Sequence, residues 1–200
     1  EMKSKESAQA PSIPHRRLRV LHLFGSAVSD YYSIVSTKYA CECDEGTRAD
    51  KGVVEDFEYV YACVHPKAPK WSFPESLSEE ARAKAPRVDE ATAISKLKAL
   101  QIDVCVPHMF CYPGMTTYRS LLDFLNIPFV GCPPDAMALT THKGQSRGVM
   151  EHAGIRVPKG ELLTLGDNEK VTISPPLILK PCREDNSMGV NLVMKTSDIQ

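Results

Sequence analysis

The spacing of apolar residues along this chain changes repeatedly, and the changes mark its elements. Leu18 to Phe24 is an apolar-rich run closed by Gly25-Ser26, the pattern of a strand entering a turn, and Ser29-Asp30 then offers a helix cap ahead of Tyr31 to Tyr39. Across Asp56 to Val64, Phe57, Tyr59 and Tyr61 alternate with acidic or small residues, which predicts a second strand ended by His65-Pro66-Lys67-Ala68-Pro69. Asp89 is a candidate cap for a helix whose inner residues are Ala91, Ile94, Leu97 and Leu100. Val104 to Pro107 is the next strand. Gly114-Met115-Thr116-Thr117 opens a helix with Leu121, Leu122 and Leu125 inward, stopping at Asn126 before Ile127 to Gly131. Strands alternating with helices predict an α/β fold, a parallel sheet with helices on both faces. In such sheets ligands collect beyond the carboxyl ends of the strands, where Gly25, His108 and Gly131 fall.

The alternation then gives way. Asp135 is expected to cap one long helix running to Ala153, with Gly154 as its stop. Pro175-Pro176-Leu177-Ile178-Leu179-Lys180-Pro181 reads as a short buried strand that delivers a lysine to its end. Residues 182–189 make a polar turn of a size to fold over a polyphosphate, and a second strand follows to Val193. The expected organisation is a disordered arm over 1–17, an α/β domain over 18–134, and over 135–200 the start of a second, α+β domain that the remaining residues are too few to finish.

Composition narrows the partners. With 24 basic against 25 acidic residues the formal net charge is -1, so no overall field gathers nucleic acid or an anionic membrane, and small charged metabolites are the expected ligands. No apolar run reaches the ~20 residues of a membrane span, and Glu1 to Arg19 lacks an apolar signal core. The cytoplasm is the expected compartment, with a trimmed plastid presequence as the alternative. Seven cysteines, an odd number set partly in apolar runs, read as reduced thiols rather than a disulfide framework. Cys41-Glu42-Cys43 has no second Cys or His pair at zinc-finger spacing, and His142 and His152 are not at i and i+4, so no metal ligand is assigned. Gly25-Ser26-Ala27 lacks the Gly-x-Gly-x-x-Gly fingerprint of a dinucleotide-binding dehydrogenase.

Several segments in order resemble the D-alanine:D-alanine ligase branch of the ATP-grasp superfamily, from about Leu18 onward and most densely over 103–193. They are the first strand and turn with Gly25 and the Ser33 to Ser36 helix; His108 after a strand; Leu121 to Cys132; Met137-Ala138-Leu139-Thr140-Thr141-His142-Lys143; Ala153 to Pro158; and Leu179 to Val190. The resemblance implies a pre-ATP-grasp domain followed by the start of an ATP-grasp domain. It also implies an ATP-dependent carboxylate-amine ligase working through an acyl phosphate on amino-acid substrates, as in peptidoglycan biosynthesis. A homodimer is implied too. Lys143 and Lys180 would bind the ATP phosphates, with Arg183, Glu184 and Gly189 in the loop that closes over them. Ser187, His108 and Asp30 would stand on the reacting side. The Mg2+ ligands of such enzymes are expected beyond residue 200, so this stretch alone should not catalyse.

The chain departs from that pattern on the amino-acid side. Ser29 holds the position of the acid that anchors the first D-alanine's ammonium, with Asp30 one place later; Tyr112-Pro113-Gly114-Met115 replaces a Gly-Glu-Asp-Gly run; and Asn186 replaces the loop serine that meets the acid, while Ser187 is kept. The expectation is retained ATP chemistry with an altered acceptor. A ligase joining an amino acid to mycosporine-glycine, or an inactive nucleotide-binding relative, are the alternatives. Each residue also has a plain structural role: Asp30 as a helix cap, His108 as a core histidine, Lys143 as a surface lysine, and Arg183 with Glu184 as a pair across a turn.

Overall fold

The computed structural model describes residues 16–50, 55–164 and 171–198; the expected arm, apart from residues 16 and 17, lies outside them. The centre is β1 (Leu18–Gly25), whose last six residues are buried. It pairs in parallel with β2 (Phe57–Val64) on one side and β5 (Val104–Pro107) on the other. Two short strands, β3 (Trp71–Ser72) and β4 (Arg87–Val88), extend the sheet beyond β2 in the order β4-β3-β2-β1-β5. Both of their pairings are antiparallel, so the sheet is mixed where a wholly parallel one was expected. The cause is local: the His65 N–H donates to the Lys70 carbonyl at 2.7 Å, turning the chain straight back along β2 with no room for a crossover helix.

Helix α1 (Asp30–Ala49) runs a further two and more turns past the expected end, and buries Tyr32, Ser36 and Ala40, one turn apart. Ser29 is its cap, its Oγ accepting from the Tyr32 N–H at 3.3 Å, so Asp30 sits exposed in the first turn instead of capping it. Gly25 ends β1 at φ +97, and a Cβ there would lie 2.1 Å from the Val64 carbonyl oxygen. Only glycine lets β1 turn this close to β2. The Gly25 N–H then donates to the buried Ser36 Oγ at 2.9 Å, tying the turn to the helix.

Helices α2 (Glu79–Lys84) and α3 (Glu90–Ala99) follow, the second capped by Asp89 as expected. On α3 the buried residues are Ala93 and Leu97, with Ile94 and Leu100 half-buried and Ala91 exposed, so the inner face is rotated from the one read off the sequence. The helix expected from Gly114 is two, α4 (Tyr112–Met115) and α5 (Thr117–Phe124), broken at Thr116 with φ -120 and ψ -76. Leu122 is buried and Leu121 and Leu125 pack against the core. Ile127 to Gly131 forms no strand; Phe129 makes one parallel bridge to Cys105.

The long helix expected over 135–153 is also two, α6 (Pro134–Thr141) and α7 (Lys143–His152). His142 breaks them by taking ψ 97, and its Nδ1 then accepts from the Gln145 N–H at 3.2 Å, so one residue ends the first helix and caps the second. Strands β6 (Leu177–Leu179) and β7 (Asn191–Val193) form an antiparallel hairpin. Ile178 and Leu192 face each other across it and are both exposed, and only Val193 of the two strands is buried, where a buried β6 was expected. All seven cysteines are free thiols, with Cys63, Cys105 and Cys111 buried. Among the described residues no helix is long and apolar enough to cross a membrane.

Candidate functional site

The loop between β6 and β7 takes its shape from three left-handed residues. Asn186 has φ +50 and Ser187 φ +60, and the Met188 N–H closes on the Asp185 carbonyl at 3.0 Å. That is the φ signature of a type I′ turn, which costs non-glycine residues about 1 kcal/mol each. Gly189, at φ +68, completes the reversal; a Cβ on it would meet Pro181 Cγ at 2.7 Å. The loop is thus folded back on the strand end that carries Lys180.

Lys143 fixes the base of this loop. As the first residue of α7 it has a main-chain N–H with no partner in its own helix, and that N–H donates to the Cys182 carbonyl at 2.9 Å. Its ammonium donates to the Glu184 carbonyl. Lys143, Lys180, Glu184, Asn186 and Ser187 consequently line one open cleft of about 260 Å³, floored by Ile178, Pro181 and Val190.

Two tyrosines to which the sequence assigned no role pin the loop to α1 and α4. Tyr32 donates its hydroxyl to Glu184 Oε2 at 2.7 Å and accepts from the Asp185 N–H at 3.4 Å. Burial first, and then the Glu184 carboxylate, push the Tyr32 phenol up to about 12, so it stays a donor across the physiological range. The Arg183 guanidinium lies 4.7 Å from the centre of the Tyr112 ring. Arg183 and Glu184 therefore diverge to separate aromatic partners instead of pairing with each other. The Tyr32 position on the inner stripe of α1 was visible in its spacing from Ser36 and Ala40; a partner 152 residues away was not.

The residues expected on the reacting side are not brought together. Ser187 lines the cleft, Asp30 is exposed at the start of α1, and His108 is 93% buried beside His22, its Nε2 3.0 Å from His22 Nδ1. Burial, and then the neighbouring His22, push the His108 imidazole down to about 4, and burial lowers His22 as well. Both rings are neutral near pH 7.

The cleft suits an anion. Two lysines line it, and of its two acidic residues Glu184 has its carboxylate engaged by Tyr32 while Asp185 accepts from the Asn186 N–H at 3.0 Å. Lysine charges and main-chain N–H groups are the usual partners of phosphate oxygens. The fold and the cleft together define an α/β protein with a lysine-bearing loop that folds back onto α1 and α4.

Known proteins agree with that class. The D-alanine--D-alanine ligase of Methylorubrum extorquens (strain PA1) is 38% identical over 78 residues, 38% of this chain and 25% of that protein. That of Azorhizobium caulinodans is 34% identical over 118 residues, 58% of this chain and 39% of that protein. Among solved structures, the VanG D-Ala:D-Ser ligase from Enterococcus faecalis superposes with a TM-score of 0.68 at 18% identity, covering 92% of this chain and 57% of that one. The Bacillus anthracis D-alanine--D-alanine ligase complexed with ATP gives 0.57 at 20% identity, covering 90% and 52%. No protein-family model matches the chain. The resemblance read from the motifs holds: this chain is similar in sequence to D-alanine--D-alanine ligases and shares their fold, spanning about a quarter to two-fifths of the length of those two curated relatives.

Proposed function

We propose that this chain is the amino-terminal and early central part of an ATP-dependent carboxylate-amine ligase of the D-alanine--D-alanine ligase kind. The observation that carries the reading is the shared cleft, in which Lys143 from α7 and Lys180 from β6 meet a loop anchored to α1. The division into a sheet domain over 18–134 and a nucleotide-side domain from 135 belongs to the same proposal. It is supported by the five-stranded sheet lying wholly before the boundary and the hairpin wholly after it.

In this reading the nucleotide is ATP with Mg2+, and the donor set fits its phosphates. Lys143 and Lys180 would hold the phosphate oxygens, and the 185–189 turn would cover them. When bound, ATP supplies the phosphoryl group that turns a substrate carboxylate into an acyl phosphate, which an amine then displaces to form the C–N bond and release phosphate. The loop excludes water from that reactive group, and Tyr32 and Tyr112 hold the loop in place to do so. Mg2+ ligands fall to the part of such ligases that this chain does not span.

The acceptor side supports a substrate other than D-alanine. Ser29 is consumed in capping α1, Asp30 points to solvent, and the position of the Gly-Glu-Asp-Gly run is helix α4, whose Tyr112 meets Arg183 instead of an amino acid. A site that reads an ammonium with a buried polar group is changed in specificity when that group is replaced. The test is ADP release by the full-length protein against D-alanine, D-serine, glycine and L-amino acids. Turnover with an acceptor other than D-alanine is expected. Efficient D-alanyl-D-alanine synthesis would overturn the altered acceptor, and nucleotide binding without turnover on any amine would favour a catalytically inactive relative.

A further inference from the structure

The pair of buried histidines has a third member. Cys43, on α1, comes from a part of the chain that the sequence spacing had excluded as a metal motif, yet one ligand atom each from His22, Cys43 and His108 lies within 4.8 Å of the others. The three are delivered by different elements: His22 by the middle of β1, His108 by the residue after β5, and Cys43 by α1, which packs on β1. Tyr59 and Tyr61 wall the cluster, their ring centres 5.4 Å and 5.8 Å from that of His22.

From this geometry we propose that His22, Cys43 and His108 form a binding site for a borderline divalent metal ion of the zinc class. Two imidazole nitrogens and one thiolate are the ligands such an ion takes, with a fourth position left for water. Calcium and magnesium, which need oxygen, are excluded by the same set.

One feature of the core favours a ligand over a packing role. The histidine pair is buried, coplanar to within 2° and 3.0 Å apart from nitrogen to nitrogen, which is an N–H···N contact sharing one proton. A tetrahedral ion bound to both rings would set those nitrogens about 3.3 Å apart and lie about 35° off the line between them, so each ring has to turn toward it, and the shared proton moves to the other nitrogen of its own ring. The thiol has to approach each nitrogen to about 3.6 Å. Its proton leaves to solvent as the thiolate forms. Cys43 is the half-buried member of the three and marks the side from which an ion enters.

Asp44, the residue after Cys43, acts electrostatically on His22, and Arg48 acts on it in the opposite sense. Asp44 is itself held by the Tyr61 hydroxyl and the Arg48 Nε, each at 2.7 Å. Metal here would clamp α1 to both β1 and β5, and α1 is the helix whose Tyr32 holds the loop.

The test is titration of the full chain, reduced and stripped of metal, with Co2+ as a coloured stand-in for Zn2+. One Co2+ per chain with a thiolate-to-cobalt absorption band is expected, displaced by Zn2+, lost in Cys43→Ser and kept in Cys182→Ser. Zn2+ should also slow alkylation of Cys43 at least about tenfold without slowing that of Cys132, read by peptide mass spectrometry on the unaltered sequence, so a variant that misfolds does not decide the matter. No band in the unaltered protein, a band that survives Cys43→Ser, or equal alkylation with and without Zn2+ would each overturn the site.

Discussion

Tyr32 and Glu184, 152 residues apart in sequence, meet through a 2.7 Å hydrogen bond from the phenol to the carboxylate, and this contact joins the first helix to the loop over the cleft. A hydrogen bond to a charged group contributes about 1.5–3 kcal/mol when buried, and less beside an exposed loop. Tyr32→Phe is expected to cost about 1 kcal/mol and to speed limited proteolysis within 183–189 by about fivefold, the rate ratio that such a free-energy change gives.

The same phenol predicts a limb of alkaline instability. Its pKa is about 10 in an unfolded chain and is pushed up to about 12 in the fold, so folding favours the neutral form. Its contribution is complete below pH 10 and fades as pH rises from 10 to 12. Tyr61 and Tyr118 are pushed up to about 12 also, by burial first. Thermal melts from pH 9 to 12 should therefore fall less steeply in Tyr32→Phe than in the unaltered protein, without becoming flat.

At the acid end the sign reverses. The fold holds His108 neutral by pushing it down to about 4, against about 6.5 when unfolded. Between those values the unfolded chain binds more protons, so stability is complete above pH 6.5 and declines as pH falls toward 4. Burial lowers His22 too, which steepens the slope. His108→Gln should lessen the loss between pH 6.5 and 4, measured by chemical denaturation at each pH.

Gly25→Ala tests the junction of β1 and α1. The added Cβ would sit 2.1 Å from the Val64 carbonyl oxygen, main chain that cannot swing aside, at a φ of +97. A loss of more than about 3 kcal/mol in denaturant unfolding is expected, the range of backbone strain combined with overpacking. Gly148→Ala, in α7 with open space around its Cβ position, should cost nothing or stabilise.

These residues also show what the sequence could disclose. The strand-helix alternation gave β1, β2, β5 and the capped helices α1 and α3, because buried parallel strands read as apolar runs and capped helices announce their starts. It missed β3 and β4, two residues each, which are too short to carry a period, and with them the mixed character of the sheet. It joined α6 to α7 because His142 is no standard helix breaker; its capping role exists only once the backbone has already turned. Lys143 and Lys180 were legible through the order of motifs. Tyr32, Tyr112 and the meeting of His22 with Cys43 and His108 were not, since each depends on which elements the fold sets side by side.

If the Lys143 and Lys180 cleft holds the phosphates of ATP, removing one lysine must weaken nucleotide binding. Lys180 is exposed, so its replacement leaves the core untouched. The most direct measurement is calorimetric titration of the full-length protein and its Lys180→Met variant with ATP and Mg2+. Saturable binding that weakens at least about tenfold in the variant, the loss expected for about 1.4 kcal/mol of phosphate contact, is the predicted result. Equal affinity in the two proteins, or no binding by the unaltered one, would contradict it.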